Sequence, residues 1–311
     1  MFREMFWDLG DRLRHRGAYE AAPLHAIYEW RSWHTFYVKE IVPRALRVRA
    51  RLGEDADDVL RRVPEGVRSF LFHLDLTDSR RFVQRRARLL AALESRGIVT
   101  FNARIGDLRA TAVQQRLKEA GLPHLLAERL GNPDELLMVK SNYNYGGRSE
   151  RLLDGSHRRL LGLEEPLKSI RQKWDYFVRP RREIPGEIWR DARYAIQRFV
   201  TNAAGRLTRF RISLDHWVES PCVSAEPVKD VTRAAPEPDR FLLRSESPPE
   251  VRRAAAIFGL DFGSIDAVAD DEGVYHVVDV NCTPGVTQNQ PGRLEWLRQP
   301  WGGELASRRL A

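Results

Sequence analysis

Cysteine and lysine are both scarce in this 311-residue chain. The two cysteines, Cys222 and Cys282, make neither a metal-binding spacing nor a disulfide framework. A reducing cytoplasm is therefore the expected compartment. No apolar run approaches the roughly 18 residues that a membrane-spanning helix needs, so no membrane partner is expected. The first residues, MFREMFWDLGDRLRHRG, scatter charge and have no apolar segment of the kind a secretory signal requires. Internal repeats and low-complexity tracts are also missing. At 311 residues the chain is long enough for one large core or two to three packed subdomains.

Six lysines stand against 45 arginines, and the formal net charge is +8. A basic balance invites a nucleic-acid reading. Here the arginines are dispersed, many in pairs such as Arg80-Arg81 and Arg85-Arg86 on helical stretches, where a solvated face is the default. The skew reads as the compositional bias of a GC-rich genome, and nucleic acid is not the expected partner. It also makes each lysine more informative.

Residues 1–62 read as helical, with the aromatics Trp30, Trp33, Phe36 and Tyr37 as core contacts or a substrate wall. From Val67 the pattern changes. Residues 67–76 (VRSFLFHLDL) read as a strand. Asp78 or Ser79 then caps a helix ended by Gly97, and residues 98–101 form a second strand. This strand–helix–strand unit favours a parallel sheet with a crossover helix. Residues 107–120 form another helix, residues 136–141 a strand, and residues 193–200 a further strand. The six prolines of 221–249 mark a surface insertion. Ser247, Pro248 and Pro249 open a helix that Gly259 closes.

The strongest chemical pattern lies in FGSIDAVADDEGVYHVVDVNCTPG, residues 262–285. Two alternating segments flank Glu272-Gly273, which suits a two-residue hairpin turn. With that turn Asp271 faces Val274, Asp266 faces Asp279, and Asn281 faces Ser264. Asp266, Val268, Val277, Asp279 and Asn281 then project from one face. Facing carboxylates repel one another, and a hard divalent cation such as Mg²⁺, bound with phosphate oxygens and water, removes the conflict. A polar hairpin face open to water, or Asp279 and Asn281 acting as turn formers before Pro284, gives the same pattern.

Two weaker signals accompany it. Lys140 ends the strand LMVK and is followed by SNYNYGG, where Gly146 and Gly147 let backbone N–H groups approach phosphate. A lysine at a strand end beside a glycine turn is also a common structural arrangement. In RFRISL, Arg209, Arg211 and Ser213 share one face, as a solvated edge or as a clamp for an anionic substrate.

In this order the elements resemble the ATP-grasp superfamily of carboxylate ligases. The run comprises a strand ending in asparagine (GIVTFN), a helix and a GLP turn, MVKSNYNYGG, YAIQRFV, RFRISL, and finally IDAV with VVDVNCTPG. The match extends from about Gly97 to Gly285. The resemblance implies an α+β fold of two subdomains gripping ATP, with an N-terminal α/β domain preceded by helices. It divides the chain into an N-terminal domain (1–103), an ATP-grasp domain (104–200 and 201–290) and a C-terminal tail (291–311).

By position the resemblance makes Asp266, Asp279 and Asn281 ligands of Mg²⁺ or Mn²⁺, and Lys140, with Gly146 and Gly147, a contact to nucleotide phosphate. It sets Gln197 at the adenine, with backbone contacts from Arg198 and Val200, and Asn202 at the ribose. Arg211 becomes the group that stabilises the transferred phosphoryl group. Three departures are evident: Arg109 where many members carry a lysine, Asp279 where glutamate is usual, and Gln197 and Asn202 where acids are common. The implied activity is an ATP-dependent ligase joining a carboxylate to an amine, with small molecules or peptides as substrates. The alternatives are a phosphotransferase on the same scaffold and a degenerate nucleotide-binding or basic nucleic-acid-binding protein.

Overall fold

A computed structural model describes residues 23–30, 38–42, 45–51, 53–153, 155–161, 163, 176–202, 206–223, 242–285 and 291–302. Twelve strands lie among them: β1 His25–Glu29, β2 Ala45–Arg49, β3 Ser69–His73, β4 Val99–Phe101, β5 Leu136–Ser141, β6 Phe177–Pro180, β7 Tyr194–Arg198, β8 Arg206–Ser213, β9 His216–Val223, β10 Leu242–Arg244, β11 Phe262–Ala269 and β12 Tyr275–Asn281. They form three sheets. The first is parallel, in the order β2-β1-β3-β4, and the other two are antiparallel, in the orders β6-β5-β7 and β10-β9-β8-β11-β12. The mixed α+β class expected from the sequence is the class observed.

The parallel sheet corrects one expectation. Residues 1–62 read as helical, yet β1 and β2 fall within them. The lack of alternation in β1 has a physical cause, since it is covered on both faces and uniformly buried. Ala26 and Tyr28 join Phe70, Phe72, Leu89 and Leu93 on one side. Ile27, Leu71 and Phe101 meet Val38, Ile41, Phe262 and Trp301 on the other. Trp30 is buried in the first of these cores, whereas Trp33, Phe36 and Tyr37 lie outside the described residues.

The expected strand–helix–strand unit is present as β3, the Arg80–Ser95 helix and β4, with β3 and β4 parallel. Of the two expected caps, Ser79 precedes the helix without accepting from its amides, its hydroxyl donating to the carbonyls of Ile105 and Gly106, whereas the Asp78 carboxylate accepts from the first helical amide, that of Arg80. The Pro249–Phe258 helix runs as the Pro and Gly signals indicated, with Gly259 left-handed at φ +63°. Of the 221–249 insertion, residues 224–241 lie outside the described residues. The Pro291–Arg298 helix, expected within a tail, contributes Leu297 to the core that also holds Trp301. The Trp301 indole donates to Ser213 at 2.7 Å.

Asn102 joins the parallel sheet to the five-stranded sheet. It is fully buried and left-handed at φ +53°, a conformation that asparagine tolerates better than most residues. Its side-chain oxygen accepts from the backbone of Asp261 and Phe262, and its amide donates to the Phe262 carbonyl. Its own backbone N–H donates to the Asp261 carboxylate at 2.7 Å. Replacing Asn102 with Ala removes the side chain that serves three backbone groups, the N–H groups of Asp261 and Phe262 and the Phe262 carbonyl. At about 1–3 kcal/mol for an orphaned buried group, with partial relaxation, the loss of stability in a denaturant titration is expected to be about 3 kcal/mol.

Candidate active site

β12 is the outer strand of the five-stranded sheet, so its outward carbonyls lack a neighbouring strand. Three side chains supply the missing donors, one from the Ala110–Glu119 helix and two from β5 and the loop that follows it. Gln114 donates to the Val277 carbonyl at 2.8 Å, Lys140 to Val278 at 2.8 Å, and Asn144 to Val280 at 3.2 Å. The Gln114 oxygen also accepts from the Leu125 amide, so this buried side chain is fully used. The edge of one sheet is thereby seated against the other, and the expected site residues collect along that seam.

On the hairpin, Asp266 pairs with Asp279 and Ser264 with Asn281, as expected. The tip differs. Asp270 faces Val274, not Asp271, through a 3.0 Å backbone hydrogen bond, and the connection is the three residues Asp271, Glu272 and Gly273. Asp270 shapes it by accepting from the amides of Glu272 and Val274. Gly273, at φ +84°, provides the left-handed step such a loop needs. A bulge restores the register: Ala267 pairs with Val277 while Asp266 pairs with Asp279, so Val278 has no opposite residue. As a consequence Val277 does not share the carboxylate face. It joins Ile265, Ala267 and Val280 in the core.

The bulge carbonyl is the acceptor for Lys140, whose Nζ also lies 3.5 Å from Asp279 Oδ1. Burial pushes the Asp279 carboxyl above its usual range. Lys140 and Arg209 oppose the shift, and the facing Asp266 reinforces it. Asp266 lies opposite Arg209 on β8 and is held by it in a two-pronged contact, with Nε–Oδ1 and Nη2–Oδ2 both at 2.7 Å. Burial lowers the Arg209 pKa, but the charge and hydrogen bonds of Asp266, together with Tyr145 and Asp279, outweigh it and the net direction is upward. Arg211 is opposite Ser264 on the same face of the sheet and is buried, with Nη1 donating to Ser220 at 3.2 Å.

The glycine loop reaches the same place. Tyr145, Gly146 and Gly147 are successively left-handed at φ +51°, +62° and +70°. Glycine adopts this without a Cβ clash, whereas Tyr145 is a strained exception. The Tyr145 hydroxyl accepts from Asn281 Nδ2 at 2.9 Å, and the Asn281 oxygen accepts from the Thr283 amide and hydroxyl. Arg109 is held by Asp107 at 2.6 Å and lies beside Tyr143 of this loop.

Met138 on β5 is opposite Gln197 on β7, and Lys140 is opposite Ala195, so Lys140 and Gln197 share one face of the three-stranded sheet. Gln197 is 1% exposed, and among the described residues neither its amide nitrogen nor its oxygen has a hydrogen-bond partner. A buried carboxamide with both ends open requires a physical reason, and a planar ligand edge offering one donor and one acceptor satisfies it. Beyond Gln197, the Arg198 amide is occupied by the Leu125 carbonyl at 2.7 Å and its guanidinium donates to the His124 carbonyl. Val200 and Asn202 follow, half-buried. The seam thus brings together Lys140, the glycine loop, Asp266, Asp279, Asn281 and Arg211. Gln197 and Arg198 stand at a separate stretch of the same three-stranded sheet.

Sequence reasoning noted Arg209 on the face of Arg211 but did not assign it to the site, and it missed Tyr145. The pairing of β8 with β11 joins distant parts of the chain, so no spacing in the sequence reveals that Arg209 faces Asp266. Among the described residues no group of three or more His, Cys, Asp or Glu side chains is arranged to hold a metal ion. The available donors are two carboxylates and a carboxamide oxygen. That set fits a magnesium ion that takes its remaining oxygens from phosphate and water.

No family model matches the chain, and no curated protein matches it in sequence. Solved structures similar to it include D-alanine–D-alanine ligase from Bacillus anthracis, with 13% identity, 88% of this chain and 90% of that one covered, and a TM-score of 0.42. Another is the macrocyclase MdnC bound with precursor peptide MdnA from Microcystis aeruginosa MRC, with 12% identity, 89% and 98% coverage, and a TM-score of 0.41. A third is the D-cycloserine synthetase DcsG, with 14% identity, 91% and 99% coverage, and a TM-score of 0.44. Among the described residues no helix is long and apolar enough to cross a membrane.

Two stability measurements probe the site without any ligand. Replacing Gln197 with Met removes an unsatisfied buried amide, and urea titration is expected to show a gain of about 1 kcal/mol. Asp279, with its pKa raised by folding, costs stability once ionised. The penalty is absent below the unfolded value of 3.8 and grows as pH rises through the elevated folded value. Asp279→Asn is therefore expected to melt higher than wild type at neutral pH, with the difference vanishing toward pH 3 in a pH series of melting temperatures.

Proposed function

We propose that the protein is an ATP- and Mg²⁺-dependent ligase that joins a carboxylate to an amine. The observation that carries this reading is the seam itself, where Lys140 and the glycine loop of one sheet meet the Asp266, Asp279 and Asn281 face of the other. Gln197, with its open amide, supplies a recognition point for the adenine edge, followed by Arg198, Val200 and Asn202. Asp266, Asp279 and Asn281 are the residues that hold the metal. When bound, the metal offsets charge on the phosphate oxygens.

The remaining work falls to the chain. Lys140 orients the polyphosphate as a point charge, while Gly146 and Gly147 allow backbone to approach it. A substrate carboxylate attacks the terminal phosphorus, releasing ADP and leaving an acyl phosphate. An amine then attacks the acyl carbon, the amide forms and inorganic phosphate departs. Arg211, buried on the same face as Asp266, stabilises the negative charge that develops. Positioning and charge stabilisation are the catalytic means, as phosphoryl transfer generally requires.

Incubation with Mg-ATP, hydroxylamine and pools of amino acids, peptides and small acids tests the reaction class. A ligase releases ADP and gives a hydroxamate detectable by mass spectrometry, whereas a kinase gives a stable phosphoester. Asp279→Ala is expected to abolish hydroxamate formation while keeping a cooperative melt, and wild-type turnover in that variant refutes the metal assignment. A basic protein without turnover instead shows salt-sensitive nucleic-acid binding and no binding of nucleotide.

A further inference from the structure

The two acidic residues of the seam are not waiting as bare chelators. Asp266 has both oxygens engaged by Arg209, and Asp279 has Lys140 at 3.5 Å. Arg211 adds a further positive charge on the same sheet face. Each carboxylate of the seam is therefore already paired with a cation. A free divalent ion approaching it must displace a half-buried arginine from a two-pronged contact and enter a site whose charge is already compensated. Among the described residues no group of three or more carboxylate, imidazole or thiolate side chains is arranged to hold the ion and repay that cost. For a polyphosphate the balance is reversed, because Lys140, Arg209 and Arg211 favour it and its oxygens provide the donors that the protein lacks.

Building on the nucleotide-binding reading above, we infer that Arg209 acts as a resident counter-ion that keeps metal off Asp266 until the metal arrives together with nucleotide phosphate. Arg209 is then released from Asp266, and its charge becomes available to the anionic oxygens that accompany the metal. Arg209 is thus a positioning residue for metal loading. Its cross-strand place opposite Asp266 is what gives it that role.

The probe is Mn²⁺, followed by its electron paramagnetic resonance signal and by calorimetry, with and without ADP. Wild-type protein is expected to bind Mn²⁺ alone weakly and to bind it readily in the ternary complex with ADP. Arg209→Gln frees Asp266 and is expected to bind Mn²⁺ alone about tenfold more tightly than wild type, a change of about 1.4 kcal/mol. Mn²⁺ without nucleotide then raises the melting temperature of the variant more than that of wild type. Arg209→Lys, which replaces the fork with a single point charge, falls between the two. Equal affinity of wild type and Arg209→Gln for Mn²⁺ alone overturns the inference. So does wild-type affinity for Mn²⁺ that ADP leaves unchanged although ADP itself binds, a readout that stands even if neither variant folds. Failure of wild type to bind ADP with any metal counts instead against the nucleotide-binding reading, which separates the two.

Discussion

The seating of an open sheet edge against a neighbouring sheet governs the geometry of this molecule. An outer strand exposes backbone carbonyls that need donors, and β12 obtains them from Gln114, Lys140 and Asn144 instead of from another strand. Those contacts fix where β5 and its loop lie relative to the hairpin. They also explain why a lysine can sit at the bottom of the seam: its ammonium is hydrogen-bonded to a bulge carbonyl and lies close to a carboxylate. Every charged group of the candidate site is placed either by this edge or by the β8–β11 pairing beside it.

The site trades stability for charge placement. Asp266 and Asp279 face one another across paired strands, an arrangement that is unfavourable unless each has a compensating partner. Arg209 and Lys140 provide that compensation. Gln197 presents a comparable cost, with a buried carboxamide that has no partner among the described residues. Such uncompensated or internally compensated polar groups are found where a fold has been shaped around something other than its own packing.

Legibility in the sequence followed the range of the interactions. Local signals served well for the Pro249–Phe258 helix, for β5, and for the pairing of Asp266 with Asp279, because capping residues, strand alternation and hairpin spacing are short-range. The N-terminal region was misread as wholly helical because β1 is buried on both faces and so lacks the alternation that marks a strand. Arg209 escaped assignment because its partner lies on a strand far along the chain. The orphaned amide of Gln197 depends on what surrounds it in three dimensions, which residue type and spacing do not encode.

The hairpin between β11 and β12 shows how far a spacing rule can be trusted. One residue that might have paired joins the loop, and one residue on the returning strand stands out as a bulge. Counted from Asp266 to Asp279 the two irregularities cancel, so a ruler laid along the sequence returns the same length for the simple hairpin and for this one. Between them, however, the inward and outward assignments of the returning strand are exchanged, and Val277 lines the core instead of the carboxylate face. Two hairpins with the same separation between their acidic residues can therefore match at the open end and present opposite faces at the tip.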